Sequence, residues 1–235
     1  MNTGAFSAEP SAALVEAVVS KCRSELGDDS EWLNPAGYPD GLALCVLDAI
    51  WSLGVNYDHH VVPVLRRYRA MRRALGADPN TDGAEELLAA ADRCGGTDGF
   101  AQALGNHQRT STRAGAPTKA AAVVQAARAL GTVNITTAAE FRKKVAADAK
   151  TVELVWRAVP GQVSSDIGWR YLQLLAGVDE VKPDRMIARF LTSCGAPALT
   201  TSDSSALVRA AAVRLGVTAR VLDHAIWRYQ RAQRA

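Results

Sequence analysis

The sequence predicts an all-α fold, and its 235 residues could form one domain or two small ones. Three observations lead there. Apolar residues recur at helical spacing through most of the chain, Gly and Pro cut it into helix-length segments, and only residues 132–135 have a β-like composition, too short to start a sheet. Residues 12–26 set Leu14, Val15, Val18, Cys22 and Leu26 on one face, and Gly27 ends that segment. Asp40 is expected to cap a helix over 41–53, so apolar that it belongs at the centre of a core. Over 59–73, Val61, Val62, Leu65, Tyr68 and Met71 share a face, with arginines elsewhere and Pro63 in the expected first turn, where its missing N–H is tolerated. Further helices are expected over 82–93, 100–104, 118–130 and 137–147. Segments 150–158 and 165–175 flank Val159-Pro160-Gly161, and helices over 184–193, 203–215 and 218–231 complete the set. No heptad pattern and no repeat of fixed period is present.

Composition narrows the classes of function. No apolar run reaches membrane-spanning length, and Met1 to Pro10 lacks a basic region followed by an apolar stretch, so a cytoplasmic chain is expected. The cysteines, Cys22, Cys45, Cys94 and Cys194, are scattered without Cys-x-x-Cys spacing, which gives zinc or an iron–sulfur cluster no local ligand set. His59, His60, His107 and His224 form no metal-ligand pattern either, so no metal and no cofactor are expected. Trp169 and Trp227, at helical spacing among apolar neighbours, read as core.

Net charge is only +3, but the cations are clustered. Residues 99–139 contain no acid while carrying Arg109, Arg113, Lys119 and Arg128, and Arg66, Arg67, Arg69, Arg72 and Arg73 form a second acid-free group. Such clusters are the footprint of phosphate contact, although the second also fits a solvated helix face. The polar, basic stretch 105–115 is long for a helix–helix connection, and loops of that kind more often carry function.

The most informative segment is Val159-Pro160-Gly161-Gln162-Val163-Ser164-Ser165, followed by an apolar helix and then Lys182-Pro183-Asp184-Arg185. A Pro-Gly hairpin between helices exposes backbone N–H groups suited to phosphate, and a carboxylate opens the next helix. Here the chain resembles the helix-hairpin-helix DNA glycosylase superfamily, of the endonuclease III and alkylation-repair type. Val159-Pro160-Gly161 matches the family's Leu-Pro-Gly hairpin, and Lys182-Pro183-Asp184 its catalytic Asp at a matching distance. Residues 40–57 look like the buried helix and loop that open its six-helix barrel, and Lys119-Ala120 like its Lys-Ala helix start. The resemblance implies a six-helix barrel with the helix-hairpin-helix motif over 36–182. It also implies a smaller bundle from 1–35 plus 183–235, and a cleft between the two subdomains.

Departures from the family pattern are specific. Val163 replaces the second hairpin glycine, Ser164-Ser165 stand where bifunctional members place a Schiff-base lysine, the four-cysteine cluster is absent, and Gly54 stands where some relatives carry an intercalating glutamine. Without the amine, a covalent imine and strand cleavage cannot follow the family's route. The resemblance therefore implies a monofunctional N-glycosylase, a monomer acting on double-stranded DNA in the cytoplasm and nucleoid-associated when bound. Asp184 would stabilise the sugar cation. Gly161, Gln162, Val163, Ser164 and Ser165, with Arg109, Arg113, Lys182 and Arg185, would hold DNA, and Trp51, Asn56, Tyr57 and His59 would line the base pocket. Two other readings stay open: a non-catalytic DNA-binding protein on the same scaffold, and a helical protein–protein adaptor whose arginines are solvated.

Overall fold

A computed structural model of the chain describes residues 9–35, 37–163 and 166–233. Among these residues the regular elements are all helical: α1 Ala12–Glu25, a 3-10 turn Asp29–Glu31, α2 Leu42–Trp51, α3 Tyr57–Arg73, α4 Ala84–Arg93, α5 Thr97–Ala103, α6 Lys119–Gly131, α7 Ala138–Arg157, α8 Asp166–Leu175, α9 Arg185–Ser193, α10 Thr201–Leu215 and α11 Ala219–Ala232. The expected all-α class is what the chain adopts, and residues 132–135 form a turn, with Asn134 left-handed at φ 59°. The chain divides into two units. One joins Met1–Pro35 to Asp179–Ala235, and the other is Ala36–Val178.

The larger unit is wrapped around α2. Every residue of that helix is buried, and α3, α4, α6 and α8 all pack against it. A helix apolar on every side has no face to offer water, so burial from all directions is its stable placement. Its single acid, Asp48, is also fully buried, and three tyrosine hydroxyls donate to it: Tyr38 (2.8 Å) and Tyr57 (2.6 Å) to Oδ2, Tyr171 (3.0 Å) to Oδ1. Burial first, and then the charge of Asp48, pushes all three phenols above their ordinary range, so they remain donors. These bonds tie α2 to the segment before it, to the start of α3 and to α8. One turn further on, at the C-terminal end of α2, the buried Lys119 ammonium donates to the carbonyls of Trp51 (2.8 Å) and Leu53 (3.0 Å), meeting oxygens that a helix C-terminus leaves unpaired.

A second buried carboxylate, Asp82, receives Arg72 in two bonds (Nε 2.7 Å, Nη2 2.9 Å) and the Tyr68 hydroxyl (2.8 Å). The Arg66–Arg73 group is thereby largely absorbed by structure. Arg72 is buried, Arg67 donates to the Leu104 carbonyl (3.0 Å), and the Arg69 guanidinium lies 5.3 Å from the Tyr38 ring centre. Arg66 and Arg73 remain exposed.

The smaller unit packs α1 against α10 and α9 against α11, with α10 touching both α9 and α11. Val18, Cys22, Phe190, Val208, Leu222 and Ile226 are at its centre.

Several local expectations need correction. Asp40 does not cap α2; Gly41 occupies that position, with no side-chain bond. Asn56 caps α3, which therefore starts at Tyr57 and carries Pro63 in its second turn, not its first. Residues 137–147 and 150–158 are one element, α7, interrupted at Asp148 (φ −156°, ψ 73°), whose Oδ1 accepts the Thr151 N–H (3.1 Å) as a fresh cap. Trp227 is half-buried and stacks on His224 instead of entering the core, whereas Trp169 is buried.

Because Asp48 joins three segments, Asp48→Ala strands three hydroxyls at once. It should lower unfolding free energy by at least about 3 kcal/mol, against about 1 kcal/mol for Tyr57→Phe, both read from urea denaturation.

Candidate functional site

The connection after α7 is a tight turn in which Gly161 takes a left-handed φ of 84°. A Cβ there would meet the Thr110 Cβ at 3.1 Å, so glycine is required both by its dihedral and by the neighbouring loop. Gln162 donates its N–H to the Val159 carbonyl (2.9 Å), so that amide is already engaged within the turn. Its side chain is 1% exposed, with Oε1 unpartnered among the described residues, while Val163 is 68% exposed. Ser164 and Ser165 lie outside the described residues.

Thr110 belongs to the basic loop between α5 and α6, so the structure does bring the turn and that loop together. An antiparallel bridge between Arg109 and Thr118 closes the loop, with Thr110 N–H on the Pro117 carbonyl (3.0 Å) and Lys119 N–H on the Gln108 carbonyl (2.7 Å). The Arg109 guanidinium donates to the Ala116 carbonyl, which makes it a brace of its own loop. Arg113 is exposed at the loop's tip, its N–H on the Ser111 hydroxyl (3.4 Å).

Asp184 sits in the smaller unit, at the N-cap of α9. Its Oδ1 accepts the N–H groups of Met186 (2.7 Å) and Ile187 (3.4 Å), and its own N–H bonds the Lys182 carbonyl (2.7 Å). Both cap bonds end on one oxygen, so the helix does not use Oδ2. The side chain is half-buried, and Arg185 beside it is exposed.

Next to this cap lies a residue the sequence reading missed. Asp223, buried in α11, accepts the Lys182 N–H on Oδ1 (2.9 Å) and so holds the segment that carries Asp184. Burial pushes its carboxyl up to about 8, the Lys182 N–H opposes that rise, and the charges of Asp184 and Glu180 add to it. Glu180, also buried, accepts the Val181 N–H (2.8 Å) and a bond from Arg209. Asp223 thus combines burial with a raised carboxyl directly behind the segment that carries Asp184. The signal was present, since Asp223 falls on the stripe formed by Ala219, Leu222 and Ile226, where an acid is out of place.

The expected base-pocket residues are in the larger unit. Trp51 is fully buried in its core, its indole N–H unpartnered among the described residues. Asn56 caps α3 through the His59 N–H (3.2 Å), His59 is exposed, and Tyr57 reaches inward to Asp48. His60 and Gln108 meet at 3.1 Å, linking α3 to the basic loop. Burial lowers the Lys119 ammonium to about 8. Among the described residues no group of three or more His, Cys, Asp or Glu side chains could hold a metal ion, and no helix is long and apolar enough to cross a membrane.

The molecule is thus an all-helical protein of two units, with a basic loop seated on a turn in one and, in the other, an Asp-capped helix whose leading segment is held by a buried acid. It belongs to the family described as Domain of unknown function (DUF8548), whose model matches residues 16–231. No curated protein and no solved structure matches the chain.

Asp223 gives a pH signature. Its folded value of about 8 lies above the ~3.9 of an unfolded Asp, so folding favours its proton. Its contribution is full below about pH 4 and is lost as pH rises through about 8. Unfolding measured at steps from pH 5 to 8.5 should show stability falling across that interval, and Asp223→Asn should flatten the fall.

Proposed function

We propose that the protein is a monofunctional DNA glycosylase that removes a damaged or modified base from duplex DNA. The observation that carries this reading is Asp184, a half-buried carboxylate after Lys182-Pro183 with one oxygen outside its helix cap. Breaking an N-glycosidic bond develops positive charge on the sugar, and a fixed carboxylate beside the anomeric carbon stabilises that charge and orients a water. Neutral Asp223, bonded to the Lys182 N–H, fixes the backbone that presents Asp184 without adding a second full negative charge at neutral pH.

The target base must leave the stack at a cost of a few kcal/mol, and phosphate contacts offset it. Arg113 at the loop tip and the turn at Gly161, packed against the same loop, support such a contact. With this reading go a six-helix barrel and a helix-hairpin-helix motif. Double-stranded DNA is the partner of a monomer that works in the cytoplasm and joins the nucleoid when bound. A second reading, a DNA-binding protein without catalysis, draws on the capping role of Asp184, which by itself accounts for an Asp at that position.

The test is incubation with duplexes carrying a mixture of modified bases. Released bases are identified by mass spectrometry and abasic sites by alkaline cleavage. Base release is expected, reduced about 100-fold or more in Asp184→Asn. Intact oligonucleotides across a broad lesion panel would overturn the enzyme reading. Salt-dependent duplex binding that survives Asp184→Asn, with no base released, would establish the second one.

A further inference from the structure

α11 presents a second feature that neither the turn nor the carboxyl pair uses. At 3.6 residues per turn, Arg220, His224, Trp227 and Arg231 fall within an arc of roughly 60° on this helix, and Arg228 lies at its edge. The opposite side carries Leu222, Ala225 and Ile226 into the core, so the arc lies away from it, with Arg231 exposed and Arg220, His224 and Trp227 half-buried. His224 and Trp227 stack with ring centres 5.7 Å apart and planes 17° apart, and the Arg231 guanidinium lies 5.0 Å from the Trp227 ring centre. Planar and cationic side chains are therefore already ordered along one line before any partner arrives.

The acids around this arc define its limits. Asp223, the only acid in α11, is buried on the core side. Asp179 stands at the N-terminal end, where its Oδ1 accepts the Arg220 backbone N–H (2.9 Å). Beyond Arg228 opens a cavity of about 330 Å³ bordered by Glu25, Asp28 and Glu31, a flank that repels phosphate. A polyanion lying on α11 is held to the Arg220–Arg231 line by attraction on one side and repulsion on the other.

We propose that this face of α11 is a contact for the sugar-phosphate backbone of duplex DNA, separate from the turn at Gly161 and the basic loop. Arg220 and Arg231 are eleven residues apart, roughly 16 Å along the helix. That length spans several phosphates at about 3.4 Å per step on one strand. The ordered guanidinium and imidazole planes lose little rotamer freedom on binding, which favours contact over a scatter of mobile lysines. Because Asp223 on the same helix bonds the segment that carries Asp184, a strand held on α11 is registered to the carboxylate. The choice of DNA as partner rests on the function proposed above.

The test uses the full chain and an unmodified duplex, with affinity measured from low to moderate salt. For Arg220→Gln/Arg231→Gln, the slope of log K against log salt should be shallower by about 1.8, the value for two lost phosphate contacts. Arg231→Gln alone, at an exposed position, should remove about half of that. Arg214→Gln, on α10 and paired with Glu16, should leave the slope unchanged. Duplex binding should also alter intrinsic tryptophan fluorescence, and Trp227→Phe should abolish that change. If the wild type binds and the α11 variants keep its slope, or Arg214→Gln lowers it as much, the α11 contact is refuted while base release stands untouched. If the wild type does not bind duplex DNA even at low salt, both the contact and the DNA-directed function fall.

Discussion

A carboxylate in the middle of an apolar helix is costly unless its surroundings are built for it, and the larger unit is built around Asp48. Three phenols converge on it from the segment preceding α2, from the first residue of α3 and from α8. Their positions fix where those elements stand relative to the central helix. The buried Lys119 ammonium completes the arrangement by taking up carbonyls at the C-terminal end of α2. α6 begins at Lys119, directly after the basic loop, so the core and the loop share one anchor. The loop in turn rests on Gly161, and the position of that turn is thereby traced back to the buried polar frame.

The smaller unit follows the same logic with a different outcome. Asp223 is buried with one backbone N–H for a partner and neighbouring acids that oppose its ionisation, so it is held near neutrality. Asp48, with three hydroxyl donors, is served by bonds that suit a charged acceptor. The contrast matters for chemistry: one buried acid organises structure, and the other lies against the segment from which Asp184 projects. α11 carries Asp223 on its inner side and the Arg220–Arg231 line on its outer side. One helix thus links the proposed catalytic group to the proposed strand contact.

Much of the helical framework was legible because amphipathic spacing is a local property. The apolar segment around α2 and the cap at Asp184 both stand close to their expected places. What escaped were partnerships across long stretches of chain. Tyr171 meets Asp48 from 123 positions away, and nothing near Asp48 announces it. Arg72 looked like one member of a basic cluster, yet Asp82 draws it inside. Arg109, expected to hold DNA, also donates from its guanidinium to the Ala116 carbonyl of its own loop, a bond that no local pattern announces. Asp223 and the arc on α11 were visible in principle, since an acid on an apolar stripe and an arginine–aromatic line are both patterns of period 3.6. Reading the terminal helix only for its apolar side concealed both.

If Asp184 meets a positive charge developing on a sugar, as proposed, affinity for a charged mimic of that state measures it directly. A duplex carrying a protonated pyrrolidine in place of one deoxyribose should bind the chain at least about 100-fold more tightly than one carrying a neutral tetrahydrofuran, as expected of a transition-state analogue. Asp184→Asn should erase most of that preference while leaving the tetrahydrofuran duplex bound as before. Equal affinity of the wild type for the two duplexes would contradict the account, because a carboxylate poised for the sugar cation cannot be indifferent to that charge.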